Sequence, residues 1–152
     1  MKRSGVIHPQ LLEVLAAAGH GDLIVLADAG LRIPSHARRI DLGITCGVPT
    51  MAQVLAAVST ELVIEAAEVA TEFADWNPDV YAEVMSVLNV EPSDRPHVEP
   101  SDRPHGELMA DMAERAYAYV KTGDCSAYSS VVLTCGVSYL DEAIALYDRL
   151  HS

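Results

Sequence analysis

The chain alternates short apolar runs with longer stretches in which apolar residues recur every three or four positions. The pattern begins at His8-Pro9, where a proline suited to a first helical turn precedes Leu11, Leu12, Val14, Leu15 and Ala18 on one face. Gly19 is the expected left-handed stop of that helix. The uninterrupted run Leu23–Ala27 then reads as a buried strand, bounded by turn signals on both sides. Arg39–Ile44 reads as a second, mixed strand, and Met51, Val54, Leu55 and Val58 stand at helical spacing. Leu62-Val63-Ile64 starts a third strand, while the Ala- and Glu-rich run 65–73 suits strand or helix equally by propensity.

Beyond Asn77-Pro78 a helix is expected through Leu88. Val90–His97 then reads Val-Glu-Pro-Ser-Asp-Arg-Pro-His, and Val98–His105 repeats it letter for letter. Two prolines per eight residues forbid helix, so the duplication predicts an extended or looping insertion. One repetition is also far too short for a solenoid. Glu107–Lys121 has the spacing of one amphipathic helix ended by Gly123, and Val131–Cys135 that of the last strand. A closing helix over 139–150 is expected, with Ser138 as its cap. Strands alternating with helices predict an α/β fold, a single three-layer domain over 1–152 with a largely parallel sheet.

Composition narrows the function. The 152 residues carry a formal charge of −12, which argues against nucleic acid and anionic membranes as partners, since both demand Lys and Arg. No run approaches the ~18 apolar residues of a membrane span, and no signal-peptide core opens the chain. Cys46, Cys125 and Cys135 lack any C-x-x-C spacing, so free thiols in a reducing cytoplasm are expected.

Candidate chemistry gathers at the two ends of the Leu23–Ala27 strand. No phosphate loop, dinucleotide fingerprint or nucleophile elbow is present, and Gly19-His20-Gly21 lacks the third glycine of a nucleotide signal. Six histidines offer no i, i+4 pair on a helix, so no metal is expected; His20, Asp28 and His105 could make a metal site only through tertiary folding. His20 lies uncrowded between two glycines, where Asp22 and Asp28 could tune it. Histidine as a residue type can both give and take a proton in neutral water. The bland alternatives are a capping histidine, an ordinary Asp-Ala-Gly turn at Asp28, and loop hydroxyls in Tyr128-Ser129-Ser130.

Taken together the motifs are specific. Gly19-His20-Gly21-Asp22, Asp28-Ala29-Gly30-Leu31-x-Ile33-Pro34, Arg39-Ile40-Asp41, Gly47-Val48-Pro49, Gln53-Val54-Leu55 and Thr122–Tyr128 occur in one order. From about residue 5 to Val137 the chain resembles the D-ribose pyranase / L-fucose mutarotase (RbsD/FucU) family, nearer its ribose branch. The resemblance implies a Rossmann-like fold and a cofactor-free isomerase that interconverts ring forms of a free monosaccharide. It also implies a ring-like homo-oligomer, in the family often a decamer, with active sites at subunit contacts. It assigns proton donation to His20 and sugar binding to Asp28 and Tyr128. Two positions depart from the family. Ser130 stands where the ribose branch has a sugar-binding asparagine and is expected to bind the sugar in its place, and a further binding residue aligns ungapped with Gly106. A one-residue gap would give that role to His105, with His97 as its duplicate.

Geometry adds one expectation of its own. At about 3.3 Å per residue, an extended Leu23–Ala27 holds His20 and Asp28 some 20 Å or more apart, so one sugar would need them from two subunits. The alternatives are mutarotation of L-fucose or another sugar, a non-catalytic sugar-binding oligomer and, more distantly, a metal-dependent hydrolase.

Overall fold

The computed structural model describes residues 1–89, 98 and 100–152; the first octapeptide copy, with His97, lies outside the described residues. The elements run α1 (Pro9–Ala17), β1 (Leu23–Ala27), β2 (Arg39–Asp41), α2 (Met51–Ser59), β3 (Ile64–Ala70), α3 (Glu72–Trp76), α4 (Pro78–Asn89), β4 (Ser101–Arg103), α5 (His105–Arg115), β5 (Ala118–Lys121), β6 (Val131–Cys135) and α6 (Leu140–His151). The six strands form one sheet in the order β2-β5-β1-β6-β3-β4. β1 pairs in parallel with β5, as do β2 with β5 and β3 with β4, while β6 is antiparallel to both β1 and β3. Among these strands only β6 is reversed, so the sheet is largely parallel, as expected.

β1 is buried along its whole length, and its alternating side chains supply both faces of the sheet. Ile24 and Leu26 join Leu11, Val14, Met51, Leu55 and Val84 from α1, α2 and α4 in the larger core. Leu23, Val25 and Ala27 pack against Leu108 and Met112 of α5 on the other face. That gives the three layers. α6 contributes no buried residue, and Ile144, Tyr147 and Leu150 on it are exposed.

Several expected boundaries move. The Glu107–Lys121 helix is two elements: α5 stops at Arg115, and Ala118–Lys121 is a buried strand between β1 and β2. The open choice over 65–73 resolves as strand to Ala70 and then the short helix α3. In the second octapeptide copy the stretch between Pro100 and Pro104 is extended and supplies the edge strand β4, and its last residue, His105, already starts α5. β2 ends at Asp41 instead of Ile44. Helix α1 closes on an extended Ala18, and the left-handed glycine is Gly21 at φ +84°. Ser138 does not cap α6, whose N-cap Tyr139 makes no side-chain capping bond.

The cysteines also differ from expectation. Cys46 and Cys125 are joined in a disulfide, and Cys135 is free and buried. Burial, with the Asp22 carboxylate, raises the Cys135 thiol to about 11.

Candidate active site

With β6 reversed, the carboxyl ends of β1, β5, β3 and β4 meet the entrance of β6 at one edge of the sheet, where open α/β folds place their ligand crevices. A cleft of about 920 Å³ opens there, lined by Asp28, Gly30, His105, Cys125 and Tyr128 among others. It lies near the upper end of the roughly 300–1,000 Å³ found for small-molecule sites. That is roomy for a ligand the size of a monosaccharide.

Asp28 follows β1 directly and is buried. Its Oδ1 accepts the Gly30 N–H at 3.0 Å, and its Oδ2 accepts the Ser130 hydroxyl at 2.7 Å. The Asp28 N–H in turn donates to Ser130 Oγ at 3.0 Å. Ser130 is therefore a support for Asp28. It was expected to touch a ligand, yet its hydroxyl is committed to the carboxylate and it does not line the cleft.

The segment after β5 forms the next wall. Thr122 Oγ1 donates to the Ala27 carbonyl, and Ala29 N–H donates to the Asp124 carbonyl, which ties this segment to the end of β1. The Asp124 carboxylate accepts the Met51 N–H at the start of α2 and the Ser126 N–H, a favourable place for negative charge. A β-carbon on Gly123 would collide with the Val48 and Thr45 carbonyl groups, so only glycine permits this approach. Tyr128 then takes a left-handed backbone at φ +64°, a conformation that a non-glycine residue adopts at a cost.

His105 completes this edge as the first residue of α5. Its N–H donates to Glu72 Oε2 at 2.9 Å. Its ring meets the Tyr128 ring edge-on, with centroids 5.1 Å apart. The Nδ1 atom is buried and has no hydrogen-bond partner among the described residues. The structure thus brings together Asp28, His105 and Tyr128.

His20 is elsewhere. It precedes β1, at the edge where β6 ends and β3 begins: the neighbouring Gly21 N–H donates to the Cys135 carbonyl. Its Nε2 lies 2.7 Å from Glu65 Oε2, with the side chains 50% and 47% exposed. Neither Asp22 nor Asp28 orients it, contrary to expectation; Asp22 Oδ2 instead accepts the Gly19 N–H. Sequence reasoning missed Glu65, whose one signal was its place in the ambiguous Glu/Ala run. A register shift between Ile64 and Ala66 marks a bulge there, a device that re-aims a side chain.

No group of His, Cys, Asp and Glu among the described residues is arranged to hold a metal ion. No helix among them is long and apolar enough to cross a membrane.

A family model described as the RbsD / FucU transport protein family matches residues 1–138. The chain belongs to this family. Two relatives are similar over nearly their full length. A D-ribose pyranase of Paracidovorax citrulli is 40% identical over 91% of this chain and 100% of its own length. A D-ribose pyranase of Geobacillus kaustophilus is 39% identical over 91% of this chain and 96% of its own. Among solved structures, Bacillus subtilis RbsD complexed with D-ribose matches with a TM-score of 0.78 at 29% identity, covering 90% of this chain and 98% of that one. The fucose mutarotase of Streptococcus pneumoniae, at a TM-score of 0.64 and 24% identity, shares the RbsD/FucU fold. Helix α6 lies beyond the matched residues.

Proposed function

We propose that the protein is a cofactor-free isomerase that interconverts the pyranose and furanose forms of free D-ribose. The observation that carries the reading is the convergence of Asp28, His105 and Tyr128 on one cleft in a chain whose relatives are D-ribose pyranases. A buried carboxylate, an imidazole and a phenol provide acceptors and donors for sugar hydroxyls, and two aromatic rings provide surface for sugar C–H groups. Asp28, His105 and Tyr128 bind the sugar, and Ser130 holds Asp28 in place.

The reaction needs one proton-transfer group. His20 delivers a proton to the ring oxygen as the bond from that oxygen to the anomeric carbon breaks. The anomeric hydroxyl gives its proton to solvent, and the open-chain aldehyde results. Reclosure through the 4-hydroxyl, with its proton released and the carbonyl oxygen protonated, yields the furanose. The Glu65 carboxylate, 2.7 Å from Nε2, orients the His20 ring for that transfer. Such general acid–base help is worth about 10²–10⁴-fold.

His20 and the cleft lie at opposite edges of the sheet, so the working site combines two copies of the chain. One copy's His20–Glu65 pair closes the cleft of another, as in a ring-like homo-oligomer such as a decamer. The roomy cleft supports this: it leaves space for a second surface over the sugar. We place the protein, read as a single domain over 1–152, in the cytoplasm on its likeness to D-ribose pyranases.

Exchange between the pyranose and furanose NMR signals of free D-ribose tests the reading. The protein is expected to broaden and exchange these lines, and His20→Ala to lose about 10²-fold or more of that rate. Full exchange by His20→Ala would contradict the assignment. L-Fucose exchanging faster than D-ribose would move the substrate to the other branch.

A further inference from the structure

The short helix α3 touches both walls of the cleft without lining it. At its first residue, the Glu72 carboxylate accepts the His105 N–H at 2.9 Å, anchoring the start of α5. At its last, Trp76 meets the Tyr128 ring edge-on with centroids 5.3 Å apart. The next residue, Asn77, donates from Nδ2 to the Ala127 carbonyl at 2.6 Å. Between these grips Phe73 is fully buried, its ring edge-on to Tyr81 of α4. The helix is thus pinned to the core at its middle and grips the His105 wall at one end and the Tyr128 wall at the other.

The grip answers a need on both sides. Tyr128 holds a left-handed backbone that its own side chain disfavours. Among the described residues the His105 imidazole has no hydrogen bond at Nδ1 to fix its ring; its ring meets the edge of Tyr128, which in turn meets the edge of Trp76. Three rings therefore stand in a row from the cleft to the surface. His20 and Glu65 take no part in that row.

We propose that α3 with Asn77 is a positioning clamp that sets the spacing of His105 and Tyr128 and thereby the affinity for sugar. Glu72, Trp76 and Asn77 are positioning residues that act through the groups lining the cleft. The clamp rests on the reading of the cleft as the sugar site, and it adds a prediction that this reading does not contain: substitutions in α3 change KM and leave kcat alone, because proton transfer belongs to the opposite edge of the sheet.

Trp76 is suited to the test. It is 65% exposed, so truncation leaves no core cavity, and it is the chain's single tryptophan, so protein emission reports on it. Trp76→Ala is expected to raise KM for D-ribose about two- to tenfold, with kcat within twofold and an unchanged melting temperature. Trp76→Phe restores most of the loss. Asn77→Asp keeps the shape but removes the donor to Ala127, and raises KM about fivefold. Wild-type tryptophan emission changes on adding D-ribose, with a midpoint that matches KM. If the wild type accelerates ribose exchange while both Trp76→Ala and Asn77→Asp keep its KM, the clamp is wrong and the cleft stands. A fall in kcat at constant KM would also overturn the clamp. A wild type that does not accelerate exchange contradicts the reading of the cleft itself.

Discussion

The two edges of the sheet treat their polar groups in opposite ways. At the carboxyl edge Asp28 is buried and receives hydrogen bonds from the Gly30 N–H and the Ser130 hydroxyl. Neighbouring loops are tied to it through Thr122, Ala29 and Asp124. At the amino edge His20 has one partner, Glu65, and both side chains are about half exposed. The first arrangement is fixed before any ligand arrives, as a binding surface must be to avoid the cost of ordering itself. The second is a compact acid–base pair presented to solvent, where a neighbouring molecule can meet it. A single strand, β1, separates them. On the proposed reading, folding one chain completes the binding half of the site, and assembly completes the proton-transfer half.

Two substitutions and a deletion sharpen the contrast beyond the loss expected for His20→Ala. Glu65→Gln should reduce ribose exchange about fivefold, as expected from losing a half-exposed charged pair of roughly 1 kcal/mol. Its KM should be unchanged, because Glu65 is remote from the cleft; an unchanged rate would mean that His20 works without its carboxylate. Ser130→Ala should do the reverse, raising KM about fivefold for the loss of one buried hydrogen bond and leaving kcat near wild type. A fall in kcat with constant KM would show that Ser130 is more than a support. The smallest effect is expected from deleting one octapeptide. The copies are identical, so removing either leaves the same sequence to form β4 and His105. Exchange activity should stay within about twofold, and a larger loss would give the duplicated residues a role of their own.

The particular elements show what the sequence could and could not reveal. β1 was legible because five consecutive apolar residues between turn signals suit a strand buried on both faces. The α5–β5 boundary was hidden because Leu108, Met112, Ala116, Tyr119 and Val120 keep helical spacing across the break. The clue was the aromatic and β-branched content of Ala118–Lys121, whose burial between β1 and β2 outweighs helix propensity. Between Pro100 and Pro104 of the second copy the chain is strand and not helix, as the prolines required, but they masked β4, since an edge strand tolerates prolines at its ends. There, Arg103 bonds Glu68 on β3 and Asp111 on α5, contacts that raise its own basicity and hold the Asp111 carboxyl below its usual range. Each end of the candidate site was visible as a short motif. The partners that orient them were not, because Glu65 is 45 residues from His20 and Ser130 is 102 residues from Asp28. Pairings at such range come from sheet order, which no local pattern encodes.

The central claim is that one site draws on two chains, and subunit complementation tests it most directly. His20→Ala and Asp28→Asn chains, each inactive alone, are unfolded together and refolded as a mixture, and ribose exchange is measured by NMR. With random assembly a site needs an intact Asp28 from one chain and an intact His20 from another, each present half the time. The mixture should therefore recover about a quarter of wild-type activity per site. A mixture as inactive as its two components would show that His20 and Asp28 must come from the same chain, and would contradict the account.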